Sequence, residues 1–348
     1  SNMVGLLGRD IKFFIVTSNK DLNSSSPISD IKLNTWQDVG YSKVIYLDNN
    51  QNKIRHIKKI VRDVNPDIIY INGVFSKSFS VIPLIIFKNS YSLIINPRGM
   101  FGSRAFSIKK IKKCIYIRIA NAFSFYKNVH WHVSNIYETR DMKTNFNKNF
   151  NYTIIPNLPR NLPFKSKFKK EKTLYIISVC RINKIKNIEF MISILKDVDF
   201  NCDYKIVGFI EDINYYKFLT ELINDTPKNI NIEFTGALSH FDIDNLIAKS
   251  DLFISTSLNE NFGHSIVESL AIGTPVLISD YCPWDNLNSY FAGYKLPLNK
   301  QSFKEKLFEF YNMNSDLYLK YNKGARNYYE KYINLESYKN NYLEMFRN

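Results

Sequence analysis

The chain has 348 residues, 45% of them hydrophobic and 23% charged, an ordinary balance for a folded protein and a length beyond one comfortable core. Its formal net charge is +15, yet no zinc-finger, homeodomain or RNA-recognition pattern goes with it, so nucleic acid is not the expected partner. No apolar run reaches the roughly 18 residues of a membrane helix and no secretion-type signal opens the chain, so it reads as cytoplasmic, at most peripheral on a membrane.

Ser1 and Asn2 ahead of Met3 read as a cloning remnant, and only Gly5 and Gly8 precede the first strand-like run at 11–18. Further runs at 67–71, 92–96 and 129–134 alternate with helical stretches such as 52–64, the order of a Rossmann-like α/β layer. Arg98 closes the turn IINPRG at 94–99, as a contact for phosphate or a sugar hydroxyl or as a plain turn residue. Residues 103–127 set Lys109, Lys110, Lys112, Lys113 and Arg118 among Phe106, Ile108, Ile111, Ile115, Tyr116 and Ile119. That is a basic amphipathic helix, suited to an anionic membrane surface or a phosphate-rich acceptor; a core-packed helix with solvated lysines is the alternative. His130 and His132 share one face of a strand with no third ligand in view, so a structural role is expected.

The stretch PNLP at 156–159 and the Lys-rich run 163–170 read as a linker, dividing the chain into domains 1–162 and 163–335 and a short terminal helix at 336–348. The charge divides at the same place: 24 Lys and Arg against 9 Asp and Glu before it, 23 against 23 after it. Beyond a strand starting near 173, Arg181, Lys184 and Lys186 stand in the loop RINKIKN, aimed at a departing diphosphate or forming a solvated basic loop. Strand-like runs follow at 204–208 and 231–236. Ser239 three residues before Asp242 is a helix cap, so Asp242 and Asp244 are not read as metal ligands.

At 251–257 a buried strand is expected, and Gly263 then opens a helix with Ile266, Val267, Leu270 and Ala271 on its apolar face. Gly273 and Pro275 stop it before a strand at 275–279, giving a unit that places ligands at the carboxyl ends of its strands. Glu260 lies in the loop and Glu268 in the helix. The N–H groups of Asn261, Phe262 and Gly263 suit sugar hydroxyls or a phosphate oxygen, and Glu268 suits ribose hydroxyls. One such Glu alone is more often a solvated charge; the whole segment carries the reading. Cys114, Cys180, Cys202 and Cys282 lack paired spacing and read as reduced thiols.

The segment E-NFGHSIV-E followed by SLAIGTPVLISD resembles the Glu-x7-Glu signature of retaining, family-4 type glycosyltransferases of the GT-B fold. ISVCRINKIKN at 177–187 resembles the same family's donor loop, with Arg181 and Lys186 in the places of its diphosphate-holding Arg and Lys. The resemblance covers most of 150–345 and the first half only weakly. It implies an α/β GT-B protein: two Rossmann-like domains with a cleft between them, 1–162 for the acceptor and 163–335 for the nucleotide sugar, and helix 336–348 crossing back to the first. It implies transfer of a sugar from a nucleotide-diphosphate donor to a glycan or lipid-diphosphate-linked acceptor with retention, in making a bacterial-type capsule, O-antigen, lipopolysaccharide or exopolysaccharide. Glu260, Arg181 and Lys186 would be catalytic, Glu268, Asn261, Phe262, Gly263 and Arg98 donor-binding, with no metal or other cofactor.

Two positions depart from the family: Arg98 stands where a His is common, and Leu158 where a Gly usually follows Pro-Asn. The family also places a strand and a glycine loop ahead of the strand resembled by 11–18, so the expectation is a missing first strand and impaired turnover. A sugar-nucleotide epimerase or phosphorylase of the same fold is the alternative enzyme. A non-catalytic basic protein that binds nucleic acid or a membrane surface is the alternative of another class.

Overall fold

The computed structural model describes residues 2–20, 28, 31–48, 53–102, 106, 110–146, 150–169 and 172–347. The chain forms two compact units, residues 1–158 together with 335–348, and residues 159–334.

The first unit carries two sheets. In one, β1 (Phe13–Ser18) lies parallel to β3 (Ser42–Leu47), which pairs antiparallel with β2 (Trp36–Val39). This hairpin, unforeseen in the sequence, turns at Gly40, whose φ of +56° is the left-handed geometry that a two-residue hairpin turn needs. In the other, β4 (Ile68–Asn72), β5 (Ser92–Asn96), β6 (Val129–Val133) and β7 (Asn151–Ile154) run parallel in chain order. The helix Lys53–Val64 buries Ile57 and Val61, one turn apart, in a core with Trp131, Val133 and Leu84.

Residues expected to be a bare approach to the first strand instead form the helix Asn2–Leu7. Asn2, read as a remnant, opens it and donates to the Leu158 carbonyl at 2.7 Å. Gly5 sits inside the helix and Gly8 just beyond it, so neither belongs to a strand-to-helix loop; among the described residues no strand precedes β1. The terminal helix Leu335–Arg347 returns to this unit. Its Tyr342 and Met345 join Leu7, Ile94, Ile155 and Leu158 in a second core, and Lys339 pairs with Asp10 at 3.0 Å.

The second unit has one continuous six-stranded sheet, all parallel, built from β8 (Leu174–Val179), β9 (Cys202–Val207), β10 (Ile230–Gly236), β11 (Leu252–Ser255), β12 (Val276–Ser279) and β13 (Gly293–Leu296). The spatial order is β10-β9-β8-β11-β12-β13, so the chain winds outward from β8 one way and then returns to start again beside it at β11. That reversal is where an open parallel sheet leaves a crevice at the carboxyl ends of its strands.

The stretch read as a linker is a packed strap of this unit. Lys165 donates its N–H to the Ile272 carbonyl at 2.8 Å, Lys167 reaches the fully buried Asp251 at 2.7 Å, and Lys169 donates to the Tyr311 carbonyl. Asp251 also accepts the Tyr175 N–H at 2.9 Å, so one carboxylate fixes strap, β8 and β11 together. Lys170 lies outside the described residues.

Candidate active site

The loops after β8 and β11 meet at the point of reversal. After β8, Asn183 caps a single turn, Lys184–Lys186, by accepting the Ile185 N–H at 3.1 Å. After β11, Thr256 donates its hydroxyl to the Asn187 carbonyl at 2.9 Å, and the Leu258 N–H reaches the Ile185 carbonyl at 2.8 Å. Two loops from distant sequence are thus stitched side by side, and their stitching brings Lys186 to Glu260. The ammonium donates to Glu260 Oε2 at 2.6 Å, with side chains only 16% and 19% exposed. Burial alone would lower the Lys186 pKa, but the Glu260 carboxylate outweighs it and holds the ammonium above its ordinary value. A small polar recess lined by Ser178, Cys180, Lys186, Thr256, Ser257 and Glu260 lies there.

Gly263 begins the helix His264–Ile272 with φ +74°, and a Cβ there would stand 2.8 Å from Ile266 Cδ1 and 3.2 Å from Glu260 Cγ. Backbone conformation and lack of room both demand glycine, and the result is a helix N-terminus set immediately against Glu260. Phe262 is buried and acts as the loop's anchor: its carbonyl accepts from Trp284 Nε1 at 2.6 Å, and its ring meets Trp284 edge-on at 5.4 Å. Of the Asn261–Phe262–Gly263 amides proposed from sequence, all lie at this helix start, while the Phe262 side chain turns to packing.

Glu268 is nearly buried one turn further on, and its Oε1 accepts from Arg160 Nε at 2.8 Å. Arg160 forks onto Asp244 as well, at 2.9 and 2.7 Å, and both carboxylates, Glu268 first, raise its pKa further. Sequence reasoning missed Arg160 and took Asp244 for part of a helix-capping segment; the cap itself is present, since Ser239 accepts the Asp242 N–H at 3.2 Å. No sequence signal links 160 to 268, because the pairing is made by the fold.

Arg181 does not join the Lys186–Glu260 pair. Its guanidinium, 48% exposed, donates to Glu211 at 2.8 Å, and Glu211 also accepts from Asn183. Glu211 follows β9, a strand whose exit was not read for charge. The thiols of Cys180 and Cys282, near this recess, are pushed by burial up to about 11, and all four cysteines are unpaired.

The remaining sequence candidates belong to the first unit. Arg98, at φ +54°, donates from Nε and Nη2 to Asn72 Oδ1 at 3.2 and 2.9 Å and from Nη1 to Asn157 at 2.7 Å. Its loop is held from below by the buried Glu138, which accepts the Gly99 and Ser134 N–H groups. His132 is fully buried, with Tyr70 Oη and Asn96 Nδ2 at 2.6 and 2.9 Å from its Nδ1 and Nε2 donating to the Ile155 carbonyl at 2.8 Å. Burial, with help from Arg98 and His130, takes its pKa down to about 4.

The basic segment corrects part of its reading. The helix spans Lys110–Ala122, and its core side is Ile117 and Ala120. The isoleucines expected on one apolar face form an outward stripe: Ile111, Ile115 and Ile119 are 77%, 52% and 44% exposed. Lys110, Lys112 and Arg118 are exposed with them, whereas Lys113 leans over the Phe75 and Phe106 rings at 5.1 and 5.8 Å. Lys109 lies outside the described residues. Among the described residues no helix is long and apolar enough to cross a membrane.

Residues 160–328, the stretch that carries Lys186, Glu260 and Glu268, match the family Glycosyl transferases group 1. Solved structures extend the likeness over both units. A glycosyltransferase from Rickettsia africae ESF-5 is 17% identical over 87% of this chain and 84% of its own, with a TM-score of 0.65. HepE of Anabaena, in complex with UDP and glucose, is 15% identical over 87% and 86%, with a TM-score of 0.68. WaaG, a glycosyltransferase involved in lipopolysaccharide biosynthesis, is 14% identical over 89% and 88%, with a TM-score of 0.64. The fold is therefore GT-B, with two Rossmann-like domains. No curated protein matches the sequence.

Proposed function

We propose that this protein transfers a sugar from a nucleoside-diphosphate donor to an acceptor hydroxyl with retention of configuration, the donor being held by residues 159–334. The observation that carries the reading is the Lys186–Glu260 pair, brought together at the sheet's reversal point against the start of the helix His264–Ile272. A cation there, with helix amides alongside, meets the charge that grows on the diphosphate as the sugar bond breaks, and so lowers the barrier more than it tightens the ground state. Arg181 would swing from Glu211 to add a second cation. Glu260 would orient the sugar through its hydroxyls, and the acceptor would attack from the face the diphosphate leaves, with no enzyme nucleophile.

Glu268 would accept the ribose hydroxyls, with Arg160 fixing its carboxylate beforehand. The cations and amides supply the leaving-group stabilisation in this scheme, so no metal is invoked. For the acceptor, a glycan or lipid-diphosphate-linked species in surface-polysaccharide assembly fits the basic first unit, and the exposed Ile stripe flanked by Lys112 and Arg118 supports docking on an anionic membrane surface.

Calorimetry with UDP, GDP, ADP and CMP on the wild type and on Glu268→Ala tests the donor site. Selective binding by the wild type, weakened by ~1–3 kcal/mol in the variant, is expected if Glu268 makes charged hydrogen bonds to the ribose. Equal affinity in both would remove that role. Product analysis separates a lengthened acceptor from a free sugar isomer or a sugar phosphate, the products of an epimerase or a phosphorylase.

A further inference from the structure

Arg160 does not belong to Glu268 alone. Its Nη1 and Nη2 donate to the two oxygens of Asp244 at 2.9 and 2.7 Å, so only Nε is left for Glu268, which it meets at 2.8 Å on Oε1. The forked end of the guanidinium, the geometry that grips a carboxylate by both oxygens, is therefore given to Asp244. Glu268 receives a single bond. The side chains of Arg160, Asp244 and Glu268 are 18%, 26% and 11% exposed, so the arrangement stands largely out of water.

Neutralisation does not account for the second acid. A buried carboxylate needs a cation, and Arg160 by itself would give Glu268 one. With Asp244 added, one guanidinium stands against two carboxylates, a net charge of −1. Asp244 lies on the helix His240–Lys249, which packs on the helix His264–Ile272 that bears Glu268, and two acids on neighbouring helices repel each other. What Asp244 changes is the direction from which Arg160 meets Glu268. Released from Asp244, Nη2 could join Nε in a two-bond grip, and the carboxylate edge that a cis-diol needs would be spent on the guanidinium. Held as it is, Arg160 touches Oε1 and leaves Oε2 to other donors.

We propose that Asp244 is a positioning residue for the nucleotide: by taking the fork of Arg160 it keeps Glu268 open to the ribose hydroxyls, and so sets a preference for ribose over deoxyribose. The inference rests on the ribose role given above to Glu268. Asp244 itself touches no substrate in this scheme.

The test compares UDP, GDP and ADP with their 2′-deoxy forms by calorimetry, using the nucleotide that the wild type binds most tightly. The wild type should prefer the ribose form by about tenfold or more. Asp244→Asn keeps the shape and removes the charge and one acceptor oxygen, and it should cut the preference to about threefold or less, chiefly by weakening the ribose form. An unfolded fraction lowers both affinities alike, so a merely structural Asp244 would leave the ratio unchanged. Asp244→Ser answers the same question if the first variant does not fold. In a Glu268→Ala background Asp244→Asn should change neither affinity by more than about twofold, because Asp244 acts through that carboxylate. A preference that survives Asp244→Asn and Asp244→Ser yet falls in Glu268→Ala overturns the positioning role and leaves the ribose contact standing. A wild type that binds none of the nucleotides, or binds both forms equally, removes the role of Glu268 and this inference with it.

Discussion

The two units use the same elements and reach different degrees of closure. In residues 159–334 six parallel strands form one unbroken sheet, with β8 and β11 mostly buried, and the loops at their ends are cross-linked by side chains. Among the described residues of 1–158 seven strands divide into two sheets, and the partly exposed strand β1 borders an apolar slot. Charge follows nearly the same division: residues 159–334 hold 22 Lys and Arg against 21 Asp and Glu, and the rest of the chain 25 against 11. A parallel sheet buried on both faces gains its stability only when it is continuous. The second unit therefore holds a preorganised site, and the first holds open surfaces.

The largest effect expected from breaking this contrast is at Asp251. Its carboxylate, fully buried, binds Lys167 and the Tyr175 N–H, so Asp251→Ala takes the counter-charge from the Lys167 ammonium and the acceptor from the Tyr175 N–H. A loss of about 3–5 kcal/mol is expected in chemical denaturation. Exchange of the amides in β8 and β11 should accelerate while β5 and β6 keep their protection. Uniform acceleration in both units would show that they unfold as one. Next comes Lys186→Met, which removes the cation while keeping the apolar stem. Removing one such stabiliser of developing charge costs about 10²–10³ in kcat. Glu211→Gln, which releases Arg181 from its present partner, should leave kcat within a few-fold. If the two variants were equally harmful, Arg181 would act from its place on Glu211 and not after leaving it.

Much of the second unit was legible because its signals are local. The run from 251 to 280 alternates a buried strand, a glycine with left-handed φ and a helix with a buried face, and each is fixed by residues within one turn of each other. The Lys186–Glu260 contact was legible only as two loops of the right kind, since the register that joins them is set by β8 beside β11. Arg160 on Glu268 could not be read at all: a strap taken for a linker supplies it from 108 residues away. In the first unit the failures have another origin. The β2–β3 hairpin spreads its apolar residues thinly, and the isoleucines of Lys110–Ala122 have the periodicity of a core face yet point outward. Periodicity shows that a face exists and leaves open what covers it.

His132 gives the first unit a pH signature that the second should lack. Its folded pKa is depressed to about 4, below the unfolded value of about 6.5, so the unfolded chain binds the extra proton between those limits. The contribution is complete above pH 6.5 and is lost as pH falls toward 4. It amounts to about 3 kcal/mol at 1.36 kcal/mol per pKa unit. Denaturation of the wild type at pH 7 and pH 4.5 should show the loss in probes of β5 and β6. His132→Gln should flatten that slope, and an unchanged slope would assign it to other groups.

The smallest effect on folding is expected where the first unit is most open. Ile115→Ser changes a side chain that faces solvent in the middle of the Ile111, Ile115 and Ile119 stripe, so stability should move by no more than about 0.5 kcal/mol. If that stripe docks on a membrane, the same change removes an isoleucine from the lipid contact and weakens binding to phosphatidylserine vesicles by about 1.5 kcal/mol, roughly tenfold. Lys112→Gln should weaken it by about 1 kcal/mol in low salt and less as salt rises, because its contribution is a screened charge rather than buried area. Sedimentation with vesicles of zero, 15 and 30% phosphatidylserine separates the two contributions. Affinity that ignores Ile115 and follows only the charge would make the stripe a bare surface and confine the first unit's openness to the slot beside β1.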